Sequence, residues 1–449
     1  MRHTATIKEV LDFDVAAYVA AARATGRQHL DPAMRGRMAE LYLDVRDVLA
    51  RPDTPAGGRE RRVLRLAELV LQSEWKLAGG GEETARDAAG RAFPRGATGP
   101  GPRGKRYQPY GNVRLLNHVL GTSRHASDVT IEHRCRRALA FLVSSWDGYE
   151  RRSAAGAETW GGQDRPADEA IGERLRRLAA IAAAIGEEPA PCAAVPAPRW
   201  ERYLGADGRP NVLEYLVNLP QTRKHEENTF LRVIHLTEVT TWAILARTVA
   251  ANGWLTAGRW APAARCLEAA AETAALQHEI MLVLRRTMSV EHFLGFREET
   301  GNASAVQMAS AQTLHIHLLG VHPAKVEALG GIEENAYLLL YLNRRFRPLR
   351  ALLADLPRGD ERAARVLAAA RTLDERLWQW RRLHLGLAYR YLPREVKGSG
   401  GTDGAPYLAG FYHDRLFDED GEVHPQPVPV AMPPVAGWVR ARPVFSPLN

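Results

Sequence analysis

The stretch Glu361–Tyr391, ERAARVLAAARTLDERLWQWRRLHLGLAYRY, decides the fold class of this chain. Within it Leu373, Leu377, Trp380, His384, Leu387 and Tyr391 recur at alternating four- and three-residue steps, which puts all six on one face of a single long helix. Pro393 follows and ends the helix, because proline removes a donor and clashes with the preceding turn. Working outward, the same periodicity predicts helices over Met34–Leu49, Arg62–Leu77, Val129–Trp146 and Ile171–Ile185. Longer ones are predicted over His225–Val249, Trp260–Thr287, Ser304–Leu319 and Glu334–Leu356. Strand-like alternation is scarce, so the expected class is mainly α, a helical bundle.

Gly- and Pro-rich breaks around Asp53–Gly58, Gly79–Gly104, Gly161–Asp168 and Gly186–Pro198 divide the first part into pieces. Three regions are expected: a helical N-terminal extension over 1–198 that carries no motif with chemistry attached, a helical core over 199–417, and a Pro-rich tail over 418–449.

At 449 residues, 45% hydrophobic and 25% charged, the composition is that of an ordinary globular protein. No apolar run approaches the roughly 20 residues that cross a bilayer, and Met1–Val10 lacks the pattern of a secretory signal, so a soluble, cytoplasmic protein is expected. Cys135, Cys192 and Cys266 are odd in number and far apart, with no C-x-x-C pair. This argues against a disulfide framework, a structural zinc site or a covalently attached haem. The net charge of +8 is spread among interspersed acidic residues, and Arg134–Arg137 and Arg344-Arg345 read as solvated helix faces. Nucleic acid is therefore not expected as a partner.

His384 sits inside the apolar stripe. An imidazole buried without a partner costs about 1–3 kcal/mol, so a carbonyl, a carboxylate or a metal must satisfy it. The plain alternative is a hydrogen-bonded core histidine. Beyond Pro393 comes Lys397-Gly398-Ser399-Gly400-Gly401-Thr402-Asp403-Gly404, a loop that can bring amides and hydroxyls to an anionic group, although it lacks the G-K-[ST] ending of a P-loop. A flexible connector would look the same. His225 stands in Lys224-His225-Glu226-Glu227-Asn228 at the start of a predicted helix, and Arg297 in Phe296-Arg297-Glu298-Glu299 offers the guanidinium fork that suits a carboxylate. Taken singly, these read as a helix N-terminus and a surface charge.

In their order along the chain these residues resemble the tryptophan 2,3-dioxygenase superfamily of haem-dependent aromatic oxygenases. Tyr215-Leu216 followed by His225-Glu226-Glu227, then His235-Leu236-Thr237-Glu238 and Trp242, resembles its first signature. Met288–Arg297 resembles the second. Trp380-Arg381-Arg382-Leu383-His384 with Gly398–Gly404 resembles the third. The likeness covers about Asn211–Phe417. It implies a haem-binding helical core, with His384 as the proximal ligand to the iron of haem b beside Trp380, and His225 as the distal histidine. It further implies Arg297 as the clamp on the substrate carboxylate, with Ser399, Thr402 and Tyr215 completing the substrate site. The implied reaction puts oxygen from O2 or peroxide onto a small aromatic substrate, such as tryptophan, tyrosine or an indole, in a homo-oligomer. This chain departs from the family pattern in the spacing of the first and third signatures, at Gln221 and around Ser304–Gln307. The substrate, and insertion of one oxygen atom or two, stay open.

Two other metal sites compete. A di-iron carboxylate bundle needs Glu-x-x-His pairs, and no histidine here has an acidic residue three positions before it. A mononuclear two-histidine, one-carboxylate site would draw on His315 and His317, which a helix points to different faces. A helical protein that binds haem or another ligand without turnover is the non-enzymatic alternative.

Overall fold

The computed structural model describes residues 2–50, 57–77, 107–122, 128–157, 162–205, 207–300, 308–321, 347–392 and 414–424. The chain is mainly α-helical; among the described residues the only β features are isolated bridges, Gln163 with Lys224 and Phe417 with Val423.

The helices in order are α1 (Arg2–Leu11), α2 (Val15–Thr25), α3 (Pro32–Ala50), α4 (Gly58–Leu77), α5 (Tyr107–Tyr110), α6 (Val113–Leu120), α7 (Asp128–Ala154) and α8 (Asp168–Ile185). There follow α9 (Arg209–Val212), α10 (His225–Thr256), α11 (Trp260–Thr287), α12 (Val290–Arg297), α13 (Ala309–Leu319), α14 (Leu349–Ala354) and α15 (Glu361–Tyr391). The predicted helices over Met34–Leu49, Arg62–Leu77, Ile171–Ile185, Trp260–Thr287 and Glu361–Tyr391 are all present, with ends shifted by a few residues at most. Two run on past their predicted ends. α7 continues to Ala154 through the polar Tyr149-Glu150-Arg151-Arg152-Ser153, and α10 continues to Thr256. Burial of Tyr149, Glu150 and Ser153 in α7, and of Ala251, Asn252 and Leu255 in α10, sustains these extensions. α13 and α14 fall within the stretches predicted over Ser304–Leu319 and Glu334–Leu356, whose earlier parts lie outside the described residues.

α10 is the axis of the molecule. Its buried residues lie all round it, which a helix tolerates only when neighbours cover every side. α7 runs antiparallel to it, with Arg247 paired to Glu132 at one end and His225 bonded to Glu150 at the other. α11 is antiparallel on another side, where Gln277 donates to Thr241 Oγ1 at 2.8 Å. α13 runs parallel, tied by Ser310 to Glu238 at 2.6 Å and by Asn252 Nδ2 to the His317 carbonyl at 3.0 Å. α15 lies parallel to α11, linked by Arg365 to Glu268 at 3.0 Å near one end and by the Tyr391 hydroxyl to the Leu284 and Met288 carbonyls at the other.

One cluster of buried apolar residues runs from Ile7 to Phe417, so the described helices before residue 199 pack into the same core as the described helices after it. Trp200, fully buried, donates its indole N–H to the Val10 carbonyl at 3.0 Å. Gly26, at φ +84°, presses against the segment before α10; a Cβ there would lie 2.3 Å from the Gln221 carbonyl oxygen. The close approach carries Arg27 into the interior, where its Nε bonds Glu74 Oε1 at 2.6 Å.

Candidate functional site

The sequence Lys224-His225-Glu226-Glu227 begins α10 where the chain leaves a loop held on both sides. His225 N donates to the Gln163 carbonyl at 2.8 Å, and the Glu227 carboxylate accepts from the backbone of Gln221 and Thr222 at 2.9 and 2.7 Å. Such carboxylate-to-amide bonds satisfy donors that precede a helix and suit its positive end. The His225 ring is thereby driven inward, to no exposed surface. Its Nε2 lies 3.0 Å from Glu150 Oε2, its Nδ1 lies 3.4 Å from Ser153 Oγ, and Tyr149 lies against it with ring centroids 4.8 Å apart.

All three neighbours come from the extension of α7. Behind them Arg174, on α8 and wholly buried, reaches Glu150 at 3.1 Å and both oxygens of Glu226 at 2.5 and 2.7 Å, and its Nε donates to Thr287 Oγ1 at 2.8 Å. Burial alone would raise the pKa of Glu150. The Arg174 charge, the His225 bond and the Trp146 indole outweigh it and bring the pKa down to about 2. The carboxylate is therefore ionised, and it fixes the imidazole in one orientation as second partners of functional histidines do. Neither Glu150 nor Arg174 was legible in sequence: each occupies an ordinary helical position, and only the packing of α7 onto α10, and of α8 onto α7 and α11, reveals it.

Lys224, just before His225, donates its ammonium to the Gly295 carbonyl on α12. α12 is thus held at the same end of the bundle as His225. Phe230, Phe293 and Phe296 form an aromatic cluster there, with centroids 5.4 to 5.8 Å apart, and Tyr391 stacks on Phe293 at 4.7 Å. Arg297 ends α12, half-buried, with burial pulling its guanidinium below the ordinary value. Tyr391 joins this cluster to α15 and lies seven residues beyond His384 on the same helical face.

His384 is partly buried, with the Trp380 ring 5.4 Å away. Burial alone pushes its pKa to about 4; no hydrogen bond or neighbouring charge among the described residues contributes. The ring is neutral near pH 7, with one nitrogen carrying a lone pair. The Trp380 indole N–H is likewise buried without a partner among the described residues. Tyr215 is buried in a short π-helical turn, Leu213–Val217. Its hydroxyl donates to the Ala193 carbonyl at 2.5 Å, and the Arg23 guanidinium lies over its ring at 4.7 Å. Ser399, Thr402 and the rest of the glycine loop, with Ser304–Gln307, lie outside the described residues. The structure therefore joins α12, which ends at Arg297, to Phe230 of α10 and to the end of the His384 helix through one aromatic cluster, turns the His225 ring onto α7, and sets Tyr215 against a loop carbonyl.

Elsewhere, His317 is buried and its pKa is pushed to about 3, while His315 Nδ1 lies 3.9 Å from Asp414. Among the described residues no group of three or more His, Cys, Asp or Glu side chains is placed to hold a metal ion. No described helix is long and apolar enough to cross a membrane. No protein-family model matches the chain, and no curated protein does.

Proposed function

We propose that this protein is a haem-dependent oxygenase acting on a small aromatic substrate, with haem b held by His384. The observation that carries this reading is the state of the His384 ring: neutral, set in an apolar stripe and satisfied by no hydrogen bond among the described residues. Such an imidazole would suit the metal of a group that brings its other donors with it. The donor set supports this, since a single histidine suffices for haem and the described residues offer no multi-ligand cage. Haem bound there would supply the oxidation, with O2 or peroxide as the oxidant.

The chain's own residues would then bind and orient the substrate. Arg297, weakly solvated and held at the end of α12, would pair with a substrate carboxylate through two parallel charge-assisted bonds. Ser399 and Thr402 would complete that end of the substrate site. Phe230, Phe293 and Phe296 would exclude water and face the aromatic ring. His225, whose Nε2–H is donated to the ionised Glu150, would present Nδ1 as the nitrogen that takes up a proton, where the 3.4 Å contact with Ser153 is the longer of its two. A homo-oligomer is part of the same reading.

A carrier or sensor that binds haem without turnover is the second reading. Enclosure favours it, because His225 has no exposed surface and both of its ring nitrogens are engaged.

The deciding experiment is expression with haem supplied, followed by ultraviolet–visible spectra of the ferric and ferrous-CO forms beside His384→Ala. A histidine-type Soret band lost or shifted in the variant, followed by oxygen-dependent consumption of tryptophan, tyrosine or an indole, is the expected result. A Soret band without turnover selects the carrier, and a colourless wild-type protein overturns both readings.

A further inference from the structure

The C-terminal ends of α11 and α15 border a shallow, open cleft of about 540 Å3, lined by Arg285, Arg286, Gly386, Tyr389 and Arg390. It lies away from the His384 face: at about 100° per residue, positions 386, 389 and 390 fall roughly 140–240° round α15 from His384. All three arginines are exposed, and none forms an ion pair with a carboxylate among the described residues. Glu291, whose pKa responds to the Arg390 charge, stays beyond ion-pair distance.

Part of this arrangement is structural. Basic residues in the last turn of α11 complement its dipole, and Arg390 closes the helix end by donating to the Arg285 and Met288 carbonyls. That role does not account for the remainder. Tyr389 is 52% exposed, an unusual place for a large aromatic at the edge of a cleft. Gly386 leaves the floor bare inside a helix, where glycine lowers stability, and the Arg285 Nη1 atom lies 3.5 Å from where a Cβ would stand, so no clash demands it. Three guanidiniums with mutual repulsion and no acidic partner among the described residues match a ligand group that carries more than one negative charge on several oxygens.

We propose that this cleft binds a small phosphate-bearing ligand, with its phosphate on Arg285, Arg286 and Arg390 and a planar group against Tyr389. The site is independent of the haem reading and is tested without it. The full-length protein is titrated calorimetrically at low ionic strength with inorganic phosphate, pyrophosphate and AMP.

The expected result is one-to-one binding of pyrophosphate and AMP that weakens as salt is added. Arg285→Ala with Arg286→Ala weakens both by at least about tenfold, the loss expected from removing charge-assisted bonds. Tyr389→Ala weakens AMP alone. Arg390 is left intact because it closes α11, circular dichroism verifies the fold, and the single exposed substitution Arg286→Glu repeats the test if the double variant does not fold. Absence of binding by the wild-type protein, or binding that the arginine variants leave unchanged, overturns the proposal. An AMP affinity insensitive to Tyr389→Ala overturns the assignment of the planar group.

Discussion

The Glu150 carboxylate holds the Nε2 atom of His225 at 3.0 Å, and both side chains are fully buried. The same carboxylate accepts from Trp146 at 2.9 Å, Arg174 at 3.1 Å and Thr229 at 3.2 Å, so one acidic residue of α7 organises three helices around the start of α10. Glu150→Gln leaves Arg174 with one carboxylate in place of two, and breaking a buried pair costs about 3–5 kcal/mol. Urea unfolding at pH 7 measures it. Because the folded pKa, about 2, lies below the ordinary value of 4.5, the wild-type stabilisation is present above pH 4.5 and is lost as pH falls toward 2. The variant lacks that acid-side loss.

His235 titrates in a different window. Its Nε2 lies 2.7 Å from the Gly111 carbonyl and its Nδ1 2.9 Å from the Asn218 side chain, and burial pushes its pKa down to about 4. A neutral ring has a single N–H to donate, to the Gly111 carbonyl from Nε2 or to the Asn218 Oδ1 from Nδ1. The stabilisation is complete above the unfolded value of 6.5 and is lost as pH falls through about 4. Urea midpoints between pH 7 and 4 should fall for the wild-type protein. His235→Gln should flatten that slope by up to one proton, about 1.4 kcal/mol per pH unit; an unchanged slope would refute the assignment.

Glu238 acts in the opposite sense. Tyr107 and Ser310 donate to it at 2.9 and 2.6 Å, yet burial prevails and raises its pKa to about 7. A raised carboxyl stabilises fully below the unfolded value of 4.5, and that contribution is lost as pH rises through about 7. Glu238→Gln should therefore compare best with the wild-type protein at about pH 8 and worst near pH 5, read from thermal midpoints at the two values.

At Gly26 the φ of +84°, with the Gln221 carbonyl oxygen 2.3 Å from where a Cβ would stand, leaves no room for a side chain. Gly26→Ala should destabilise by about 2 kcal/mol or more, beyond the usual entropy gain of that substitution. A melting temperature equal to that of the wild-type protein would count against the contact.

If Arg297 clamps a substrate carboxylate, Arg297→Lys loses the two-pronged geometry while keeping the charge. KM for an aromatic amino acid should rise by about tenfold or more with a smaller change in kcat, and KM for indole, which has no carboxylate, should hold. Equal effects on both substrates would assign Arg297 to structure.

Legibility in the sequence followed how each feature is encoded. The long helices were readable because apolar spacing records which face each buries, as in Glu361–Tyr391 and Trp260–Thr287. His384 stood out as a polar residue inside such a stripe. The surroundings of His225 were not readable: Tyr149, Glu150 and Ser153 lie beyond the apolar part of α7, and Arg174 resembles any arginine of a surface helix until α8 packs against α7 and α11 and its side chain reaches Glu226 of α10. α2, short and rich in alanine, carried too little contrast between faces to be distinguished.

Arg174 lies between Glu150 of α7 and Glu226 of α10, with Thr287 of α11 beside it. A chain begun at residue 199 would keep every residue of the proposed oxygenase core and still leave Glu226 and His225 stripped of their counter-charge and packing. Insertions between α7 and α10 would part these groups, and any attempt to transplant the His384 half onto another scaffold must carry α7 and α8 with it.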